Sequence, residues 1–339
     1  MVTDMTSGRT FSVLLKFSLP MLLSVAFQQL YNIVDSVIAG NFVSDMALGA
    51  IGASYPVTMI FMAVATGGSV GASVVVARLF GSKNYTYMKT AINTALVSFA
   101  AIAGVLTVTG CALCSPMLTL LGTPDDIFAD SDIYLRVYVL GLLFLFIYNA
   151  CNGIFTALGD SKTPLFFLIA SSLGNIGLDL LFVLVFHWGI AGAAWATVIA
   201  QYMSGVGILW FFLAKCKHLL PKKKELHYDR AILKDIFQLS SLTCVQQSVM
   251  NFGILMVQGL VNSFGATVMA AFAAAVKIDT FAYLPVQDFG NAFSTFIAQN
   301  YGAGNRERLR EGNRKAFLLS FVFSAVTSAM VVTFAETLM

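Results

Sequence analysis

The sequence predicts an all-α polytopic membrane protein, and three observations carry that prediction. Apolar residues make up 58% of the chain and charged residues 11%, against about 45–50% and 25% in soluble globular proteins. The apolar residues come in blocks. Phe17–Ala39, Thr163–Val185 and Ala316–Phe334 each hold roughly the 20 residues that cross a ~30 Å hydrocarbon core. The blocks lack strict alternation, so helices rather than a barrel satisfy the backbone in lipid. A mean hydropathy of +0.81 agrees.

Nine helices follow in order, at about 17–39, 46–79, 90–121, 131–159, 163–187, 189–214, 234–262, 266–300 and 312–336. The first follows Arg9 and Lys16 as a signal peptide would, but its apolar run is too long for one and contains Asp35, so it reads as a retained helix. The second and eighth exceed one straight crossing; Pro56 with Gly67 and Gly68, and Pro285 with Gly290, are natural places for a kink or an overhang. The third ends with Cys111-x-x-Cys114, read as small packing residues because no second Cys or His pair accompanies it. The acidic run Gly122–Asp132 precedes the fourth. The fifth closes on His187 and Trp188, suited to the membrane interface. The basic cluster Lys215–Arg230 separates the sixth from the seventh.

Charge placement tests this segmentation. Eighteen of the 20 Lys and Arg residues fall on one side of the predicted bundle, the exceptions being Arg136 and Lys277. That side is cytoplasmic by the positive-inside rule. The expected location is the inner (cytoplasmic) cell membrane, with the N-terminus in the cytoplasm.

An internal repeat organises the chain. Ala77–Asn84, ARLFGSKN, and Ala298–Asn305, AQNYGAGN, share three of eight positions, and each ends a long Gly- and Ala-rich helix just before basic residues. The expected organisation is an N-terminal lobe over 1–214 with six helices, a basic linker over 215–233, and a partial C-terminal lobe over 234–339 with about three. An even helix count per lobe implies parallel repeats, a known transporter architecture. It also implies about three further helices beyond those in this chain.

Polar residues at membrane depth mark candidate sites. On the first helix Gln28, Asn32 and Asp35 share one face; Asn175 and Asp179 stack one turn apart on the fifth, and Thr197 and Gln201 do so on the sixth. Counted from the outer helix ends, Asp35, Asp179 and Thr197 lie within about 6 Å of one another in depth. A carboxylate there costs about 2.5–3.5 kcal/mol or more, so it faces a cavity or a partner. Two carboxylates near each other suit a proton carrier, and the set Asp35, Asn175, Asp179 and Thr197 offers hard oxygens to Na⁺. Helix–helix hydrogen bonding is the alternative use of such groups. Asn149, Asn152, Gln247, Asn251, Lys277 and Asp288 are further candidates for a cavity lining. No phosphate-binding loop or nucleotide-hydrolysing domain is evident, which leaves an ion gradient as the energy source.

The stretches QQLYNIVDSVIAG, ALGAIGASYPV, GGSVGASVVVARLFG, LLGTPDDI and YNACNGIFTALGDSKTP, with GNIGLDL, resemble the multidrug and toxic compound extrusion (MATE) family, in its bacterial and archaeal branch with an acidic N-lobe site. The resemblance implies two six-helix bundles around a cavity that opens alternately to either side. It implies export of lipophilic, usually cationic small molecules in exchange for H⁺ or Na⁺, with no other cofactor and no enzymatic activity. By the same resemblance Asp35, Asn175, Asp179 and Thr197 form the coupling site, and Gln28 joins its network. Expected partners are those small molecules and membrane lipid, not nucleic acid, and a monomer is expected. Two rivals are a lipid-linked oligosaccharide flippase, disfavoured by Lys277 being the lone intramembrane base, and a non-transporting membrane scaffold.

Overall fold

The structure is a computed structural model that describes residues 3–42, 45–219, 228–262, 264 and 266–338. Among these, ten α-helices account for nearly all of the chain and no strand occurs. They are α1 (Thr10–Phe42), α2 (Asp45–Gly81), α3 (Tyr85–Leu120), α4 (Asp125–Leu140), α5 (Leu142–Ala157), α6 (Lys162–Asp179), α7 (Gly189–Lys215), α8 (Arg230–Asn262), α9 (Ala266–Gly302) and α10 (Arg306–Leu338).

Two departures from the sequence reading matter. The single fourth helix expected at 131–159 is two helices, α4 and α5, bent by 48° at Gly141. Gln201 of α7 occupies the place a Cβ on Gly141 would take, so the bend lets another helix approach the backbone. The fifth expected helix is α-helical only to Asp179 and continues as a π-helical turn over Leu180–Val185. By contrast α2 and α9, each 37 residues long, run as continuous helices past Pro56 and Pro285.

Among the described residues, five single helices and the bent α4–α5 pair are long and apolar enough to cross a membrane. The chain is therefore a multi-pass membrane protein. α2 is central: it packs against α3, α4 and α5 on one side and against α8 and α9 on the other. The main core joins Val75 and Val76 of α2, Ile92 and Phe99 of α3, Phe146 and Ile154 of α5, and Phe212 of α7. Phe99 meets Phe146 edge-to-face at 6.1 Å, a geometry favoured by the ring quadrupoles. Glycines set the closest helix approaches. Gly153 of α5 lies against the backbone of Ser69 on α2, and Gly205 of α7 against Phe144 on α5.

The two octets of the repeat fold alike. Lys83 and Gly304 hold the same place in them and both take left-handed φ, 56° and 68°. The amide of Asn84 donates to the Leu79 carbonyl at 3.1 Å, and that of Asn305 to the Asn300 carbonyl at 3.0 Å, closing equivalent Schellman turns. Each asparagine then caps the next helix, Asn84 Oδ1 accepting from Tyr87 N and Asn305 Oδ1 from Arg308 N.

Between α5 and α6, buried Asp160 plays the capping role. Its Oδ1 accepts from the amides of Lys162 at 3.2 Å and Thr163 at 3.1 Å, and its Oδ2 accepts from the Thr163 hydroxyl at 2.8 Å. Asp160→Ala leaves those amides unsatisfied and removes a negative charge from the positive end of the α6 dipole. The expected loss is about 1–2 kcal/mol of stability, read as a lower midpoint of thermal unfolding.

Candidate functional site

α6 packs against both α1 and α7. It carries Asn175 and Asp179 one turn apart on its inner face, 1% and 0% exposed. Apolar neighbours such as Leu173 and Leu180 face outward instead, as the helical period requires. Neither polar atom of the Asn175 amide finds a hydrogen-bond partner among the described residues. A buried amide in that state leaves two donors and an acceptor available to something not made of these residues. Asp179 is the last α-helical residue, and the π-helical turn begins directly after it. Such turns widen the backbone spacing locally and recur at functional positions.

α7 places Thr197 half-buried on the neighbouring helix, where its hydroxyl donates to the Ala193 carbonyl at 3.1 Å. Its oxygen lone pairs remain able to accept or to ligate. Gln201, one turn on, turns to the α4–α5 bend, against Gly141 and Tyr138. Gln28 is half-buried on α1. Asn32 and Asp35 lie on α1, but their side chains fall outside the described residues, as do those of Asn251 on α8 and Lys277 on α9. The structure thus sets α6, with its buried Asn175 and Asp179, against both α1 and α7.

The cavity candidates divide. Asn149 of α5 is buried: its Nδ2 donates to the Leu145 carbonyl at 2.9 Å, and its backbone carbonyl accepts from Ser69 Oγ of α2 at 2.7 Å. Asn152 and Gln247 are half-buried. Asp288 is half-buried on α9, its Oδ1 accepting from Asn291 Nδ2 at 3.2 Å. Sequence reading missed another polar group, Gln299 and Asn300 of α9, both fully buried. The second octet of the repeat was the available signal, since both residues lie within it.

Comparison with known proteins decides the family. The MatE family model matches residues 20–181 and 243–339, on both sides of the basic cluster. The chain belongs to the MatE family. MatE proteins are membrane transporters and not enzymes. Over 311 residues the chain is 31% identical to the "Probable multidrug resistance protein YpnP" of Bacillus subtilis, covering 90% of this chain and 68% of that one. Over 328 residues it is 27% identical to a second B. subtilis protein, "Probable multidrug resistance protein YoeA", covering 94% and 71%. A solved outward-facing structure of a multidrug resistance MATE transporter superposes with a TM-score of 0.92 at 23% identity, covering 99% of this chain and 74% of that one. That likeness establishes a MatE fold.

Proposed function

We propose that the chain is a secondary multidrug efflux antiporter that exports lipophilic or cationic compounds in exchange for H⁺ or Na⁺. One observation carries the coupling site: Asn175 and Asp179 are buried on the face of α6 that lies between α1 and α7, within an apolar membrane span. Lipid offers such groups nothing, so their retention there calls for a use. The names of the B. subtilis relatives support drug export as that use.

In this reading Asp35, Asn175, Asp179 and Thr197 bind the coupling cation, with Gln28 in support. No polyatomic cofactor takes part. The lobes over 1–214 and 234–339 pack through α2, α8 and α9 and tilt against each other, opening the cavity to one side at a time. Cation binding favours one opening and drug binding the other, so coupling is a difference in affinity between two states. The N-terminus faces the cytoplasm of the cell membrane, and the functional unit is a monomer.

The test uses the protein in liposomes loaded with a fluorescent lipophilic cation, with a pH gradient and a Na⁺ gradient imposed separately. Dye movement driven by one gradient alone is the expected result and names the ion. Movement under neither, with the protein correctly inserted, refutes the antiporter reading.

A further inference from the structure

At the bundle end that carries most of the Lys and Arg residues, the halves touch backbone to backbone. A Cβ on Gly81 of α2 would overlap the Gln299 carbonyl of α9, and a Cβ on Gly302 of α9 would overlap the Arg78 carbonyl of α2. Each glycine thus faces the carbonyl three residues before the other. A route for solute through this end requires α2 and α9 to part here.

The segment Thr3–Gly8 lies across that crossing and is fastened to both halves. On the first half, the Thr3 amide donates to the Leu158 carbonyl at 2.9 Å, and Gly159 admits the Thr3 carbonyl where a Cβ would not fit. On the second, the Met5 amide donates to Gln299 Oε1 at 2.9 Å, while Gln299 Nε2 donates to the Ala157 carbonyl of α5 at 2.8 Å. Arg308 of α10 donates to the carbonyls of Gly8, Met5 and Ser7 at 2.6, 2.9 and 3.1 Å, and to Asn300 Oδ1 at 3.1 Å. The Met5 side chain is fully buried with Leu14 and Phe17 of α1 and Ala292 and Phe296 of α9. Charge-assisted bonds of this number, backed by an apolar anchor, fix an otherwise extended segment.

We infer that Thr3–Gly8 is a strap that holds the basic end of the transporter shut, with Arg308 and Gln299 as its fasteners. Releasing it raises the population of the state open at that end, without touching substrate or ion. The inference rests on the alternating-access reading, and its test uses neither substrate nor gradient, so each can fail separately.

Cys244 of α8 is a native reporter. Its thiol sits against Gly67 of α2 and donates to the Ala63 carbonyl at 3.5 Å. Gly67 lies 14 residues from Gly81, roughly 21 Å into the bundle at 1.5 Å per residue. A membrane-impermeant maleimide is added to vesicles of each orientation, and modified Cys244 is quantified by peptide mass spectrometry. Arg308→Gln, and separately deletion of residues 2–8, should each speed modification from the basic end by about tenfold, as when a minor state rises from about 1% to about 10%. Gly104→Ala, a control on α3 where an added Cβ meets open space, should leave it unchanged. Unchanged Cys244 reactivity in both strap variants overturns the inference. So does a rise that the control matches, or one seen only from the opposite side.

Discussion

Asp179→Asn is expected to abolish gradient-driven export while leaving the protein inserted and folded. The substitution keeps the shape and much of the hydrogen-bonding capacity of a fully buried side chain. It removes the full negative charge and the ability to take up and release a proton. Without that group the affinity difference that couples ion to drug is lost, so export driven by the productive gradient should fall to the level of protein-free liposomes. Asp35→Asn should behave alike, because the two carboxylates are proposed to share one cation. The measurement is the initial rate of dye movement in liposomes, with size-exclusion chromatography of the solubilised protein as the check on folding. Normal export by either variant removes the proposed site. An aggregated variant would instead show that the carboxylate holds the bundle together.

Gly153→Val is expected to destabilise the protein strongly. A Cβ at Gly153 would lie 2.6 Å from the Ser69 carbonyl oxygen and 2.8 Å from its hydroxyl. The carbonyl is backbone and cannot rotate away, so the helices must separate to admit it. Separation breaks the 2.7 Å bond from Ser69 Oγ to the Asn149 carbonyl and opens the largest core, where Phe146 and Ile154 are buried. In a bilayer the lost contacts are not replaced by a hydrophobic drive between helices, because lipid tails are as apolar as the core. Overpacking of this kind costs about 1–3 kcal/mol, more when backbone is the obstacle. A fall of about 2–4 °C in the unfolding midpoint is expected. An unchanged midpoint would mean that α2 and α5 are loosely packed.

The sequence and the structure agree wherever one physical signal acts alone. Long apolar blocks must be helices in lipid, so each expected helix coincides with helix among the described residues, and Ser82–Asn84, Ser161 and Ala303–Asn305 fall between helices as anticipated. Buried Asn175 and Asp179 were visible because polar residues one turn apart are conspicuous in such a block. The bend at Gly141 was not visible. A single glycine between Leu140 and Leu142 reads as tolerated inside a helix, and only the approach of Gln201 from α7 shows what it is for. The π-helical turn after Asp179 leaves apolar periodicity nearly intact over six residues, so no pattern announces it. Asn149 is an amide in a span like the others, and only the structure shows that its Nδ2 donates to the Leu145 carbonyl within α5. Residue type gives polarity, whereas the direction it points depends on which helix lies beside it.

The contact between Gly81 and Gly302 has the form of an isologous interface, in which each partner offers the other the same patch about a two-fold axis. In a dimer of identical chains, any substitution there would act twice. Joined in one polypeptide, the two copies are free to diverge, and their neighbours have done so. Arg78 and Gln299 hold the same place in the repeat, yet Arg78 pairs with Asp235 of α8 at 2.8 Å while Gln299 bridges Met5 and Ala157. Surface exposure keeps the ion pair weak, whereas the Gln299 bridge is buried. Covalent fusion thus gives one symmetric crossing a soft side and a firm side, an asymmetry that a homodimer cannot acquire by a single mutation.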